Sequence, residues 1–89
     1  MPRIAVDGNK TTCGATLRPT QYTITSNGKS VIRNGDPIYH GSQVGKVIRG
    51  SSTVIANEKG IAREGDLCIC EEHGLVKIVQ TNNEVFIED

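Results

Sequence analysis

Two ten-residue stretches of this chain read as near copies. They are Asn27-Gly28-Lys29-Ser30-Val31-Ile32-Arg33-Asn34-Gly35-Asp36 and Asn57-Glu58-Lys59-Gly60-Ile61-Ala62-Arg63-Glu64-Gly65-Asp66, offset by 30 residues. Asn, Lys, Arg, Gly and Asp recur at matching places, and Asp7-Gly8-Asn9 near the N-terminus repeats the closing piece with Asn in place of Asp. An internal repeat in so short a chain constrains the fold more than composition does, because repeated units must bury their apolar faces against one another.

Each copy predicts a β-hairpin, since alternating β-branched residues flank a turn that favours positive φ. Tyr22-Thr23-Ile24-Thr25 leads into Ser26-Asn27-Gly28-Lys29, and Ser30-Val31-Ile32-Arg33 runs back. Ser52-Thr53-Val54-Ile55 and Ile61-Ala62-Arg63 flank a second turn at Asn57 to Gly60. A third hairpin is expected from Val76-Lys77-Ile78-Val79 and Glu84-Val85-Phe86-Ile87 around Asn82-Asn83, which leaves Arg3-Ile4-Ala5-Val6 as a lone strand. Pairing of that strand with the last one would close the three hairpins into a ring with approximate threefold symmetry. No segment sustains a 3.6-residue period, so the expectation is an all-β, conical, three-hairpin structure with little or no helix. Residues 1–89 are expected to form a single domain. An ordinary small β-sandwich or barrel is the plain alternative for such alternation, and the repeated turn-plus-Gly-Asp unit argues against it.

The core available to such a chain is thin. Only 36% of its 89 residues are hydrophobic, Phe86, Tyr22 and Tyr39 are its aromatic residues, and it carries ten glycines. A domain of this size buries only about 60 to 65% of its unfolded surface. Folding then usually recruits a disulfide, a metal or a partner chain, because burial barely exceeds the entropy lost on ordering. Three cysteines are an odd number, and the N-terminal residues lack the hydrophobic region of a signal peptide, so a metal site is expected rather than a disulfide framework.

Counting four residues on from Asn9, Asp36 and Asp66 gives Cys13, His40 and Cys70, a metal-ligating type each time. Cys13-Gly14, His40-Gly41 and His73-Gly74 also match as a ligand followed by glycine, each placed before a predicted hairpin. The third copy is expanded to Cys68-Ile69-Cys70-Glu71-Glu72-His73-Gly74 and can supply two ligands. Loops gathered at one end of a threefold cone would bring Cys13, His40, Cys70 and His73 together as a closed Cys2His2 set, the usual arrangement of structural zinc. Taken singly, a histidine in a Gly-rich loop is an exposed polar residue and a cysteine is a small core residue; the shared register makes them a set. Cys68 reads either as a core thiol or as a substitute for Cys70 or Cys13.

Other function classes fit less well. Ten basic and ten acidic residues are spread evenly, so no basic stripe invites nucleic acid. No segment reaches the roughly 18 apolar residues that span a bilayer, so stable membrane insertion is not expected. A nucleophile–base–orienter set can be drawn from Cys, His and Asp, but no local motif supports it. Cys68-Ile69-Cys70 lacks redox-helix spacing, no Gly-rich phosphate loop is present, and Glu71-Glu72 reads as a solvated loop, so the chain is not expected to be an enzyme.

Several phrases resemble those of PAAR-repeat proteins: Asn9-Lys10-Thr11-Thr12-Cys13-Gly14-Ala15-Thr16-Leu17, Gly50-Ser51-Ser52-Thr53-Val54, and Lys59-Gly60-Ile61-Ala62-Arg63-Glu64-Gly65-Asp66. The naming motif, Pro-Ala-Ala-Arg, appears here as Gly60-Ile61-Ala62-Arg63 and Ser30-Val31-Ile32-Arg33, without its proline. The resemblance covers nearly the whole chain. It implies a zinc-stapled β cone, with Zn2+ on Cys13, His40, Cys70 and His73, whose wide base docks as a monomer on a trimeric VgrG-type β-helical spike. It further implies a structural spike tip of a type VI secretion system, made in the cytoplasm and exported on the spike to the extracellular space or a target cell. A tip of a contractile phage-like tail and a cytosolic zinc-binding adaptor are the alternatives. Since the sequence ends at Asp89, effectors are expected to attach non-covalently or to travel on the spike.

Overall fold

The repeat folds as a three-unit cycle of backbone hydrogen bonds. In this computed structural model, which describes residues 3–71 and 73–79, Ala5 N donates to Ala62 O at 2.9 Å, Ala62 N to Ile32 O at 2.8 Å, and Ile32 N to Ala5 O at 3.0 Å. The ring closes on itself, and its three side chains are fully buried. Single bridges flank it: Val6 pairs with Val31, Arg33 with Ile61, and Ile4 with Arg63. Such a cycle needs three chain segments in equivalent positions, which is the physical content of the repeat.

Each ring segment then enters the same turn. Asn9 N, Asp36 N and Asp66 N donate to the carbonyls of Val6, Arg33 and Arg63. The Asn9, Asp36 and Asp66 side chains accept from the backbone N–H groups of Val6, Arg33 and Arg63, each at 2.8 Å. This is the turn-forming use of Asn and Asp, whose short side chain replaces a backbone acceptor. Gly8, Gly35 and Gly65 hold φ of 91°, 94° and 92° in these turns, a region that penalises any residue with a Cβ.

Beyond the turns lies the main sheet. β1 (Thr16–Leu17), β4 (Pro37–His40), β5 (Gln43–Val47), β8 (Leu67–Cys70) and β9 (Gly74–Lys77) form it in the order β1-β4-β5-β8-β9, all antiparallel. Residues 10–12 stitch its two edges together: Lys10 bridges Thr16, Thr11 bridges Ile78, and Thr12 N donates to Lys77 O. A closed sheet leaves no open edge there to pair with another chain. Its interior is lined by Ala15, Leu17, Ile38, Val47, Cys68, Cys70, Val76 and Ile78, which pack on the ring residues Ala5, Ile32 and Ala62.

Two short hairpins complete the described fold. β2 (Thr25–Ser26) pairs with β3 (Lys29–Ser30), and β6 (Ile55–Ala56) with β7 (Lys59–Gly60). Asn27 at φ 52° and Gly28 at φ 80° form the expected turn of the first, while Asn57 at φ 50° and Glu58 at φ 73° form that of the second. Their apolar residues join a second buried cluster of Ile4, Val6, Val31, Ala56 and Ile61, flanked by Ile24. The fold is all-β, and among the described residues no helix is present, hence none long and apolar enough to cross a membrane.

The third expected hairpin needs correction. Val76 and Lys77 belong to β9 and pair with Cys68 and Leu67 on one side, while Lys77 and Val79 meet residues 10–12 on the other. Both edges of 76–79 are therefore occupied by partners other than 84–87. Residues 84–87 themselves, and the proposed pairing of the N-terminal strand with them, lie outside the described residues. The segment Arg3–Val6 is not a lone strand, since it takes its place in the ring through Val31 and Arg63.

Candidate metal centre

The four residues singled out by register converge. One ligand atom from each of Cys13, His40, Cys70 and His73 lies within 4.8 Å of all the others. The elements that bring them together differ from the loops expected. His40 ends β4 and Cys70 ends β8, so each opens the tight reversal of a hairpin in the closed sheet, and His73 sits just before β9. Cys13 lies in the corresponding reversal between residues 10–12 and β1. Three hairpins of equal descent from the Asn9, Asp36 and Asp66 turns therefore end at one point.

The geometry within the cluster suits an ion. Cys70 Sγ is 3.8 Å from His73 Nδ1, and the His40 and His73 rings lie 4.9 Å apart, tilted by 53°. A tetrahedron with bonds of about 2.0 to 2.3 Å places its ligand atoms roughly 3.3 to 3.8 Å apart. The Cys70–His73 separation already falls there, and the remaining pairs need only small side-chain rotations.

Burial supports the same conclusion. His40 Nδ1 is buried and makes no hydrogen bond among the described residues. An orphaned buried polar atom costs about 1 to 3 kcal/mol unless something satisfies it, and a bound cation would. Cys70 is 2% exposed, Cys13 and His40 are half-buried, and His73 is exposed. The cluster is thus walled on the protein side and capped by His73. Two thiols and two imidazoles form a donor set with no position left open for a substrate, and the site could hold a metal ion in a closed, structural manner.

Neighbouring groups hold the cluster in place. Thr11 Oγ1 lies 3.3 Å from Cys13 Sγ and accepts a hydrogen bond from Ala15 N at 3.2 Å, pinning the reversal that carries the thiol. Sequence reading passed over Thr11, although a hydroxyl two residues before a cysteine in a Gly-containing turn was the available signal. Asp36 and Asp66 are buried and act as turn braces outside the cluster.

Cys68 is not one of the four. It is fully buried, paired with Val47 and Val76 across neighbouring strands, and packed in the main core. Burial first, and then the charges of Asp66 and Cys13, push its thiol up to about 12 from an ordinary 9.0. At neutral pH it stays protonated, whereas a metal ligand must be a thiolate.

Comparison with known proteins bears on the family. The profile of the PAAR motif family matches residues 42–89, a span holding Cys70 and His73 as well as the complete Arg63–Asp66 turn. No curated protein matches the chain in direct sequence comparison. With more than half of its residues covered by the family profile, and with the same turn recurring three times around a closed ring, the chain belongs to the PAAR motif family.

Proposed function

We propose that this protein is a metal-braced structural tip that caps a trimeric β-helical spike of the VgrG type in a type VI secretion system. The observation that carries the reading is the hydrogen-bond cycle of Ala5, Ile32 and Ala62, because one chain with three quasi-equivalent faces can present a similar edge to each chain of a trimer. The PAAR motif is associated with such tips, and PAAR is a structural rather than an enzymatic family. Cys13, His40, Cys70 and His73 would hold a zinc ion, which supplies four bonds that tie three hairpin ends together.

The work done by the chain's own residues is mechanical. Asn9, Asp36 and Asp66 lock the start of each hairpin, residues 10–12 close the sheet, and the four ligands tie its far ends. A point braced in this way resists fraying when load is applied along the threefold direction. The protein would be made in the cytoplasm and leave it on the spike, toward the extracellular space or a target cell. Tyr39, Val44, Ile69 and Leu75 are exposed on the outer face of the closed sheet and offer apolar area on which an effector could dock non-covalently.

The test is stoichiometric binding. Mixed with a truncated trimeric spike, the protein should form a complex of one chain per trimer, read by light scattering. Failure to bind any spike encoded beside it would favour the adaptor reading. A complex with a phage-like tail spike alone would move the same tip to a contractile tail.

A further inference from the structure

The two thiols in the cluster come from opposite ends of the sequence. Cys13 lies in the first reversal and Cys70 in the third, yet their Sγ atoms are within 4.8 Å. A disulfide needs about 2.05 Å between sulfurs, so closure asks for under about 3 Å of movement. Cys13 sits in a turn and is half-buried, with its side chain against the main core and its sulfur 3.3 Å from the Thr11 hydroxyl. Cys70 is 2% exposed and is fixed at the end of β8. Solvent therefore reaches one thiol of the pair more readily than the other, which is how an attacking cysteine and a resolving cysteine are usually arranged.

We propose that, once its metal ion is withdrawn, the cluster closes a Cys13–Cys70 disulfide that takes over the ion's role as staple. The oxidant is a small-molecule disulfide. The Cys13 thiolate attacks one sulfur of that reagent, forming a mixed disulfide and releasing one thiolate. The Cys70 thiolate then attacks the Cys13 sulfur, and the second reagent thiolate leaves. Two protein thiols lose two electrons in all, one reagent disulfide becomes two thiols, and the cysteine protons pass to the departing thiolates through solvent. The covalent link joins the same two hairpin ends as the ion does, and it leaves His40 and His73 without the thiolates needed to bind metal again. Cys68, sealed in the core and outside the cluster, stays reduced. A protein moved from a reducing to an oxidising compartment would thereby keep its stapled end under either condition.

This inference rests on the metal-centre reading only for the starting state, and the experiment separates the two. The full-length protein is incubated at about pH 8 with oxidised glutathione, with and without a zinc chelator, and zinc content is measured on the untreated sample. The expected result with chelator is a mass loss of about 2 Da and a fall in free thiols from three to one. Dithiothreitol should reverse it, and the zinc-loaded sample without chelator should react at least about 10-fold more slowly. Fragmentation of the cross-linked peptides should place the bond between residues 13 and 70, and Cys68→Ser should still form it. Three free thiols after treatment, a lasting glutathione adduct, a covalent dimer, or a bond to Cys68 would each overturn the proposal. Should Cys68→Ser not fold, fragmentation of the native protein decides alone. A zinc-free chain that still forms the bond removes the zinc reading and keeps this one, while a zinc-loaded chain that never forms it does the reverse.

Discussion

The Arg63 guanidinium grips the Asp66 carboxylate through two hydrogen bonds, Nε to Oδ2 at 3.0 Å and Nη2 to Oδ1 at 2.9 Å, with both side chains almost wholly buried. In the equivalent pair thirty residues earlier, Asp36 accepts from Arg33 N–H, but among the described residues the guanidinium does not reach the carboxylate directly. Thr20 stands between them, donating to Asp36 Oδ1 at 2.6 Å and accepting from Arg33 Nη2 at 2.8 Å, while Arg33 also reaches the carbonyls of Ala56 and Asn57. The residue corresponding to Thr20 in the later copy is Gly50, which has no side chain to interpose. One substitution within the repeat thus converts a relayed ion pair into a direct one.

Both turns predict a cost when the aspartate is removed. Asp66→Ala removes the carboxylate that the Arg63 guanidinium grips and also the acceptor for Arg63 N–H, so a loss of about 3 to 5 kcal/mol is expected. Asp36→Ala removes the acceptor for Arg33 N–H and for the Thr20 hydroxyl, and a loss of about 1.5 to 3 kcal/mol is expected. The exposed Arg49, 3.9 Å from Asp66, is a second cation on the same carboxylate and adds little to the cost. Urea unfolding of both variants checks these losses, and a variant as stable as the native protein would contradict the bracing role of its aspartate.

Gly45 is the point where β5 passes β8 most closely. A Cβ there would lie 2.0 Å from Ile69 O, 3.0 Å from Cys70 Cα and 3.0 Å from Ile38 Cγ1. Backbone cannot yield as a side-chain end does, so Gly45→Ala must push the strand carrying Cys70 away from the cluster. The expectation is a loss of about 1 to 3 kcal/mol together with weaker zinc binding. Titration with a competing chelator reads the second effect. Gly28→Ala, remote from the ligands, should leave zinc affinity unchanged.

Much of this fold was legible in the residues. The thirty-residue offset becomes the Ala5–Ile32–Ala62 cycle, and the four-residue step from Asn9, Asp36 and Asp66 to Cys13, His40 and Cys70 becomes the arm of each hairpin. What escaped notice was that the arms are strands. Gln43-Val44-Gly45-Lys46 carries a glycine and polar residues, and Leu67-Cys68-Ile69-Cys70 reads locally as a ligand loop. Their β structure comes from the neighbouring hairpin arms Pro37–His40 and Gly74–Lys77 and from the lateral pairing of Lys46 and Val47 with Ile69 and Cys68, which are distant in sequence. Local propensity does not report such pairing. Cys68 was ambiguous for a related reason: only the register of β8 against β5 and β9 shows that the core encloses it completely.

The Cys68 thiol, pushed up to about 12 by burial and by the charges of Asp66 and Cys13, predicts a pH dependence. A raised folded-state pKa favours the protonated form. Its contribution to stability is therefore full below about 9 and is lost as pH rises toward 12, where the unfolded chain has released a proton that the folded chain retains. Cys68→Ala should flatten the decline in stability over that interval relative to the native protein. Parallel curves would show that the thiol does not titrate as its burial requires.

On the proposed zinc reading, chelation should affect folding as well as metal content. Structural zinc supplies on the order of 10 kcal/mol of apparent binding free energy, so a chain with this thin a core is expected to lose much of its stability in strong chelator. His40→Ala and Cys13→Ser should each lower zinc content well below one ion per chain. A cost of about 3 kcal/mol would drop Tm by roughly 12 to 24 °C. His73→Ala should behave likewise, since Cys68 lies outside the cluster and does not replace it. Zinc content and Tm measured on the same samples check both effects, and a variant that keeps one ion and its Tm would remove that residue from the ligand set.

Thr11 positions a ligand without being one. Its hydroxyl touches Cys13 Sγ and accepts from Ala15 N, so it sets the direction of the thiol and braces the reversal that holds it. Outer contacts of this kind are worth about 10- to 100-fold in metal affinity. Thr11→Val keeps the β-branched shape and the backbone bridge to Ile78 but removes the hydroxyl, and should weaken zinc binding by that factor. Thr11→Ser keeps the hydroxyl and should restore most of the affinity while sacrificing some packing at a site that is 3% exposed. A merely structural role would predict the opposite pattern, with Val tolerated and Ser the more damaging change. Competitive zinc titration of both variants, run beside their thermal unfolding, distinguishes the two.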